Sequence, residues 1–119
     1  MGLLRTFPQQ VDTLATEFSA SGEIDTAVDT SPKTILTPTT GRKLDTRAIY
    51  LYTDSTAGEI EARFPTSGTL LAKLYCAVHT MVTLSPVRFQ GKTNEPIQIS
   101  WSSLSPNSKI FYIIRYKEI

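Results

Sequence analysis

Clusters of turn-forming residues recur along the chain from residue 38 onward and divide it into runs without a helical period. They fall at Pro38 to Gly41, Asp54 to Gly58, Pro65 to Gly68, Ser85 and Pro86, Gly91 to Pro96, and Ser105 to Ser108. Proline presets φ and donates no N–H, glycine reaches positive φ, and Asn, Asp and Ser bond their own backbone, so such clusters end regular structure. Between them the apolar positions recur every second residue. Ile60, Ala62 and Phe64 oppose Glu59, Glu61 and Arg63. Ile49 and Leu51 oppose Ala48, Tyr50 and Tyr52, and Ile97, Ile99 and Trp101 oppose Gln98 and Ser100. Leu70, Ala72, Leu74, Cys76 and Val78 share a face against Lys73 and Tyr75. A period of two is the signature of half-buried strands. Residues 82–89 give a weaker strand broken by Pro86, and residues 34–36 a short early one. Lys109 to Tyr116 is apolar on both faces, as a central covered strand requires.

Seven or so short strands without helical periods between them predict an all-β fold, an antiparallel sandwich. The alternation predicts a core of Ile49, Leu51, Ile60, Phe64, Leu70, Leu74, Cys76, Ile97, Ile99, Trp101, Ile113 and others of residues 110–114. The 119 residues suit one such domain. No internal repeat is present.

The first thirty residues read differently. They hold Asp12, Glu17, Glu23, Asp25 and Asp29 against Arg5, a net of −4, while the remainder carries +5. An acidic arm on a basic body favours docking of the arm on its own body or a neighbour's. Val11, Leu14 and Phe18 lie at i, i+3 and i+7, which fits a short helix over residues 9–18 that needs a packing surface, while Thr13, Thr16 and Ser19 disfavour it, so the arm is expected to be extended or short-helical. The expected division is an N-terminal arm, 1–29, and a sandwich domain, 30–119. Leu3, Leu4, Phe7, Val11, Leu14 and Phe18 are the expected anchors of the arm.

Several chemistries are excluded or disfavoured. One cysteine allows no intramolecular disulfide and no Cys-rich zinc site, and one histidine allows no His-pair metal motif. His79 and Cys76 point to opposite faces of a strand, which argues against a dyad. Glu59 and Glu61 stand about 7 Å apart on one strand face, a spacing seen in glycosidase carboxylate pairs, but Arg63 continues the row as a charge partner. No phosphate loop surrounds Gly41, Arg42 and Lys43. The formal charge of +1 disfavours a general nucleic-acid binder. No apolar run nears the ~18–20 residues of a membrane span, and no secretory signal pattern opens the chain. Gly2 to Thr6 fits the loose myristoylation rule, which fixes few positions. No enzyme activity, metal or cofactor is expected.

Five stretches carry a resemblance to known proteins. They are Thr37 to Leu44, Ile49 to Phe64, Ser67 to Tyr75, Asn94 to Ser100 and Ile110 to Lys117. Their order of turns and hairpins resembles the small jelly-roll-like β-sandwich structural proteins of tailed viruses, including bacteriophages. The polar strand around Asp45 and Arg47 departs from that pattern, and residues 1–29 lie outside it. The resemblance implies a capsid decoration or minor virion protein. Such a protein is made in the host cytoplasm and incorporated in the virion. It acts as a homo-oligomer, a trimer by preference, against major capsid or other virion proteins. Arg42, Lys43, Tyr50, Tyr52 and Tyr75 are the expected surface contacts. The alternative is a tail- or fibre-associated module that recognises a host carbohydrate or protein.

Overall fold

The structure is a computed structural model and describes residues 16–77 and 80–119. Nine strands run β1 (Glu17–Asp25), β2 (Lys33–Leu36), β3 (Leu44–Thr53), β4 (Glu59–Arg63), β5 (Leu70–Tyr75), β6 (Thr80–Leu84), β7 (Phe89–Gln90), β8 (Ile97–Ser102) and β9 (Lys109–Glu118). They form two antiparallel sheets. The front sheet has the order β1-β9-β3-β6, with two-residue β7 also on β3, and the back sheet has the order β2-β8-β4-β5. The chain crosses between sheets after β1, β2, β3, β5, β7 and β8, which is jelly-roll topology.

The core lies between the sheets. Ile24, Leu44, Ile49, Leu51, Ile110 and Ile114 project from the front sheet onto Ile60, Phe64, Leu71, Leu74, Ile97 and Ile99 from the back. Trp101, Cys76, Tyr112 and Tyr116 are half-buried against it. Two expected core members are displaced. A register shift beside Ala62 and Arg63 turns Leu71 inward and leaves Leu70 exposed. Ile113 faces outward because Ile110, Tyr112 and Ile114 take the inner positions of β9. The expectation that β9 is central holds, since it lies between β1 and β3, but it is covered on one side only, and Phe111 on its outer face is exposed.

The main correction concerns residues 17–25. Of the two expected forms, a short helix would have placed Glu17 and Phe18 in its last turn, but both are extended in strand β1, and residues 9–15 lie outside the described residues. Phe18, Ala20, Gly22 and Ile24 alternate on the inner face, and Glu17, Ser19, Ser21, Glu23 and Asp25 on the outer. Gly22 pairs with Tyr112, and a Cβ there would stand 2.5 Å from the tyrosine hydroxyl. The missing side chain gives the Tyr112 ring its place. The front sheet therefore begins inside the segment expected to be the arm.

The charge asymmetry now has a local explanation. The acidic outer row of β1 meets the basic outer row of β9. Glu17 pairs with Arg115 at 2.8 Å, and Lys109 lies 3.7 Å from Asp25 and 3.9 Å from Glu23. Asp29 pairs with Lys33 at 2.9 Å. Exposed pairs of this kind contribute little each, but they favour this register for an edge strand with few large apolar side chains.

Candidate interaction surface

Alternation along β3, β6 and β9 decides which side chains the front sheet turns outward. On β3 they are Tyr50 and Tyr52, on β6 Met81 and Thr83, and on β9 Phe111, Ile113 and Arg115. The register then sets them in rows. Tyr52 pairs with Phe111 on one side and Met81 on the other, and Tyr50 with Ile113 and Thr83. Met81 is 64% exposed, Phe111 41% and Tyr52 38%. Single exposed apolar side chains are ordinary, whereas a contiguous group of them marks a contact surface.

A concavity opens at each end of this face. At one end a cleft of 280 Å³ is lined by Glu23, Tyr52, Asp54, Lys109 and Phe111. Asp54 is fixed there by the Lys109 N–H at 2.8 Å. At the other end a crevice of 520 Å³ is lined by Arg47, Arg88, Arg115, Glu17, Ala48 and the Ser85–Val87 loop. A bulge at Arg47 and a 2.9 Å bond from the Val87 N–H to the Arg47 carbonyl tie this loop to β3. Asp45, wholly buried, organises the arginines. Its Oδ2 accepts Arg47 Nη2 at 2.9 Å and Nε at 3.2 Å, with Arg88 Nε at 3.4 Å. The polar stretch around Asp45 and Arg47 thus builds one end of the face.

The back sheet turns a different surface to solvent. Glu59, Glu61 and Arg63 from β4, Lys73 and Tyr75 from β5, and Ser100 and Ser102 from β8 form a polar layer. Arg63 donates to Glu61, and Lys73 Nζ lies 3.3 Å from Glu61 and 3.7 Å from Glu59. The Arg63 hydrogen bond holds the Glu61 carboxyl below its ordinary range, against a smaller effect of burial. A general acid needs a carboxyl raised towards neutrality, so Glu61 is not suited to that role. Burial pushes the Cys76 thiol up, which keeps it protonated and unreactive at neutral pH. Among the described residues no group of three or more His, Cys, Asp or Glu side chains is placed to hold a metal ion. His79 lies outside them.

The expected contact residues separate into three places. Tyr50 and Tyr52 come together on the front face. Tyr75 is exposed on the back sheet, with Lys73 Nζ 5.1 Å from its ring centre. Arg42 and Lys43 are exposed in the turn before β3, where the Lys43 backbone exchanges bonds with Ile119. Of the arm anchors, Leu3, Leu4, Phe7, Val11 and Leu14 lie outside the described residues. Phe18 is on β1, 44% exposed, with its ring 5.6 Å from that of Tyr116.

The described fold has a counterpart among solved structures. It matches a chain of the cyanophage Pam1 capsid asymmetric unit with a TM-score of 0.55, covering 86% of this chain and 84% of that one. The two are 10% identical, so the likeness is one of fold. No protein-family model matches the sequence, and no curated protein matches it. The expected likeness to virion sandwiches is thereby met in architecture.

Met81 and Phe111, with Ile113 that was expected in the core, complete the front face, and none of the three was expected there. Alternation within each strand is local, but their meeting with Tyr50 and Tyr52 depends on pairings between strands distant in sequence, Tyr52 with Met81 and Phe111 and Tyr50 with Ile113.

Proposed function

We propose that this chain is a virion structural protein of a tailed virus, of the capsid decoration or minor virion type. In this reading it stabilises the particle through subunit contacts, as a homo-oligomer against major capsid or other virion proteins. The observation that carries the reading is the exposed front face of Tyr50, Tyr52, Met81, Phe111 and Ile113 on a jelly roll. The polar back sheet and the fold shared with the cyanophage capsid chain support it. A face with an aromatic centre and charged ends has the composition of a protein contact, where a few buried aromatics carry most of the energy. The contribution is mechanical: each bridged contact adds affinity along a repeating shell.

The test is co-sedimentation of the purified chain with particles of the virus that encodes it. Saturable association is expected, and Tyr52→Ser with Phe111→Ser should abolish it while leaving the far-ultraviolet circular dichroism unchanged. Association unaffected by the double substitution would refute the role of this face. A second reading, a module that recognises host carbohydrate, draws on Tyr75, which is 68% exposed beside polar Glu59 and Lys73. A glycan array hit lost in Tyr75→Ala would favour it.

A further inference from the structure

The Tyr52–Phe111 cleft has a chemistry that one segment of the chain complements. Its floor is two aromatic rings, paired directly across β3 and β9. Its rim is acidic, with Glu23 and Asp54 against Lys109, whose ammonium also lies near Asp25. Residues 3–7 supply Leu3, Leu4 and Phe7 around a single cation, Arg5. Apolar side chains on either side of one cation match an aromatic floor with an acidic rim.

The direction of β1 bears on which copy the segment reaches. The described chain enters β1 at Glu17, at the arginine end of the front face. Its own cleft lies beside Glu23, about 20 Å further along β1. The same molecule's segment would have to reverse direction before Glu17 and run back along the sheet. Nine residues, 8–16, separate Phe7 from Glu17. Extended, that stretch spans about 34 Å, which an onward course to a neighbouring copy uses in full and a reversal along its own sheet does not.

We infer that residues 3–7 of one copy dock in the Tyr52–Phe111 cleft of a second copy, with Arg5 beside Glu23 and Asp54. This inference rests on the proposed contact role and specifies it, because an arm exchanged head-to-tail generates a closed ring when the rotation closes. The cleft is then an assembly site completed by the partner copy.

The test uses the full chain in solution, without particles. Phe7 is replaced by the photo-crosslinking residue p-benzoylphenylalanine, and the irradiated protein is mapped by mass spectrometry. The expected product has the mass of two chains, joined from residue 7 to Tyr52, Met81 or Phe111. Arg5→Glu should lower its yield about fivefold, the upper end for one exposed ion pair, and adding Glu23→Lys should restore it. Adducts confined to one chain, adducts elsewhere on the sandwich, or no adduct would each overturn the inference. Failure here would leave particle association standing, and failure to bind particles would not remove an adduct between copies, so the two readings are tested separately.

Discussion

Asp45 provides a quantitative test of how the arginine end of the front face is built. The side chain is wholly buried, and its Oδ2 receives two hydrogen bonds from Arg47 and the charge of Arg88. Asp45→Asn keeps the volume and removes the charge, so no cavity is left. Bonds to a charged group contribute roughly 1.5–3 kcal/mol where both partners are dry. Here the side chains of Arg47 and Arg88 are 25% and 62% exposed, so both rehydrate when the carboxylate is lost. That discount brings the expected loss to about 2 kcal/mol. At roughly 4 °C per kcal/mol for a chain of this size, Tm should fall by about 8 °C. The assay is urea unfolding followed by the fluorescence of the single Trp101, run beside calorimetry. Arg47→Ala in the Asp45→Asn background should cost far less than in the wild type, giving a coupling of about 1–2 kcal/mol. A loss below about 0.5 kcal/mol with no coupling would refute the claim that Asp45 organises the arginines.

Three further outcomes follow from other parts of the structure. Burial pushes the Glu95 carboxyl up, but it accepts from Ser67, Lys92 and Thr66, and these bonds outweigh burial and hold it below its ordinary 4.5. A carboxyl depressed in the folded state adds stability above its unfolded value and loses it as pH falls through the folded one. Glu95→Gln should therefore cost about 1–2 kcal/mol at pH 7, with the gap closing in denaturation curves taken below pH 4. Gly58 has φ +87°, with the Ser102 carbonyl and the Ser103 backbone against its missing Cβ, so Gly58→Ala should cost more than about 2 kcal/mol by thermal unfolding, and a neutral result would contradict that geometry. Phe64 fills the sandwich with no exposed surface, and Phe64→Ala should cost about 3–5 kcal/mol, whereas Leu70→Ala, on the outer side of the bulge, should cost under about 1 kcal/mol.

The fold was legible wherever burial and chain-local alternation coincide. Ile60, Ala62 and Phe64 stand opposite Glu59, Glu61 and Arg63, and the doubly apolar run from Ile110 announces a central strand, though its outer face is left uncovered. Strand β1 was hidden because its inner face is Phe18, Ala20, Gly22 and Ile24, and two of these four have too little side chain to register as apolar. Part of its packing comes from Tyr112 across the sheet, through the space at Gly22, and part of its register from charge pairs with β9. Leu70 and Leu71 exchanged roles through a register shift, which no pattern within the strand reveals. The interaction surface was half legible. Tyr50 and Tyr52 follow from the alternation of their own strand, whereas Met81, Phe111 and Ile113 join them only through long-range register. The arginine crevice depends on the bulge at Arg47 and on burial of Asp45, neither of which the polar sequence of that strand discloses.

The central claim is that the chain is a component of the virion, held there by its front face. Quantitative mass spectrometry of gradient-purified particles, from the virus that encodes it, tests this most directly. The chain should band with the particle in a fixed ratio to the major capsid protein, and a virus carrying Tyr52→Ser and Phe111→Ser should yield particles depleted of it. Particles lacking the wild-type chain, with the protein left wholly in the soluble fraction of the lysate, would contradict the account.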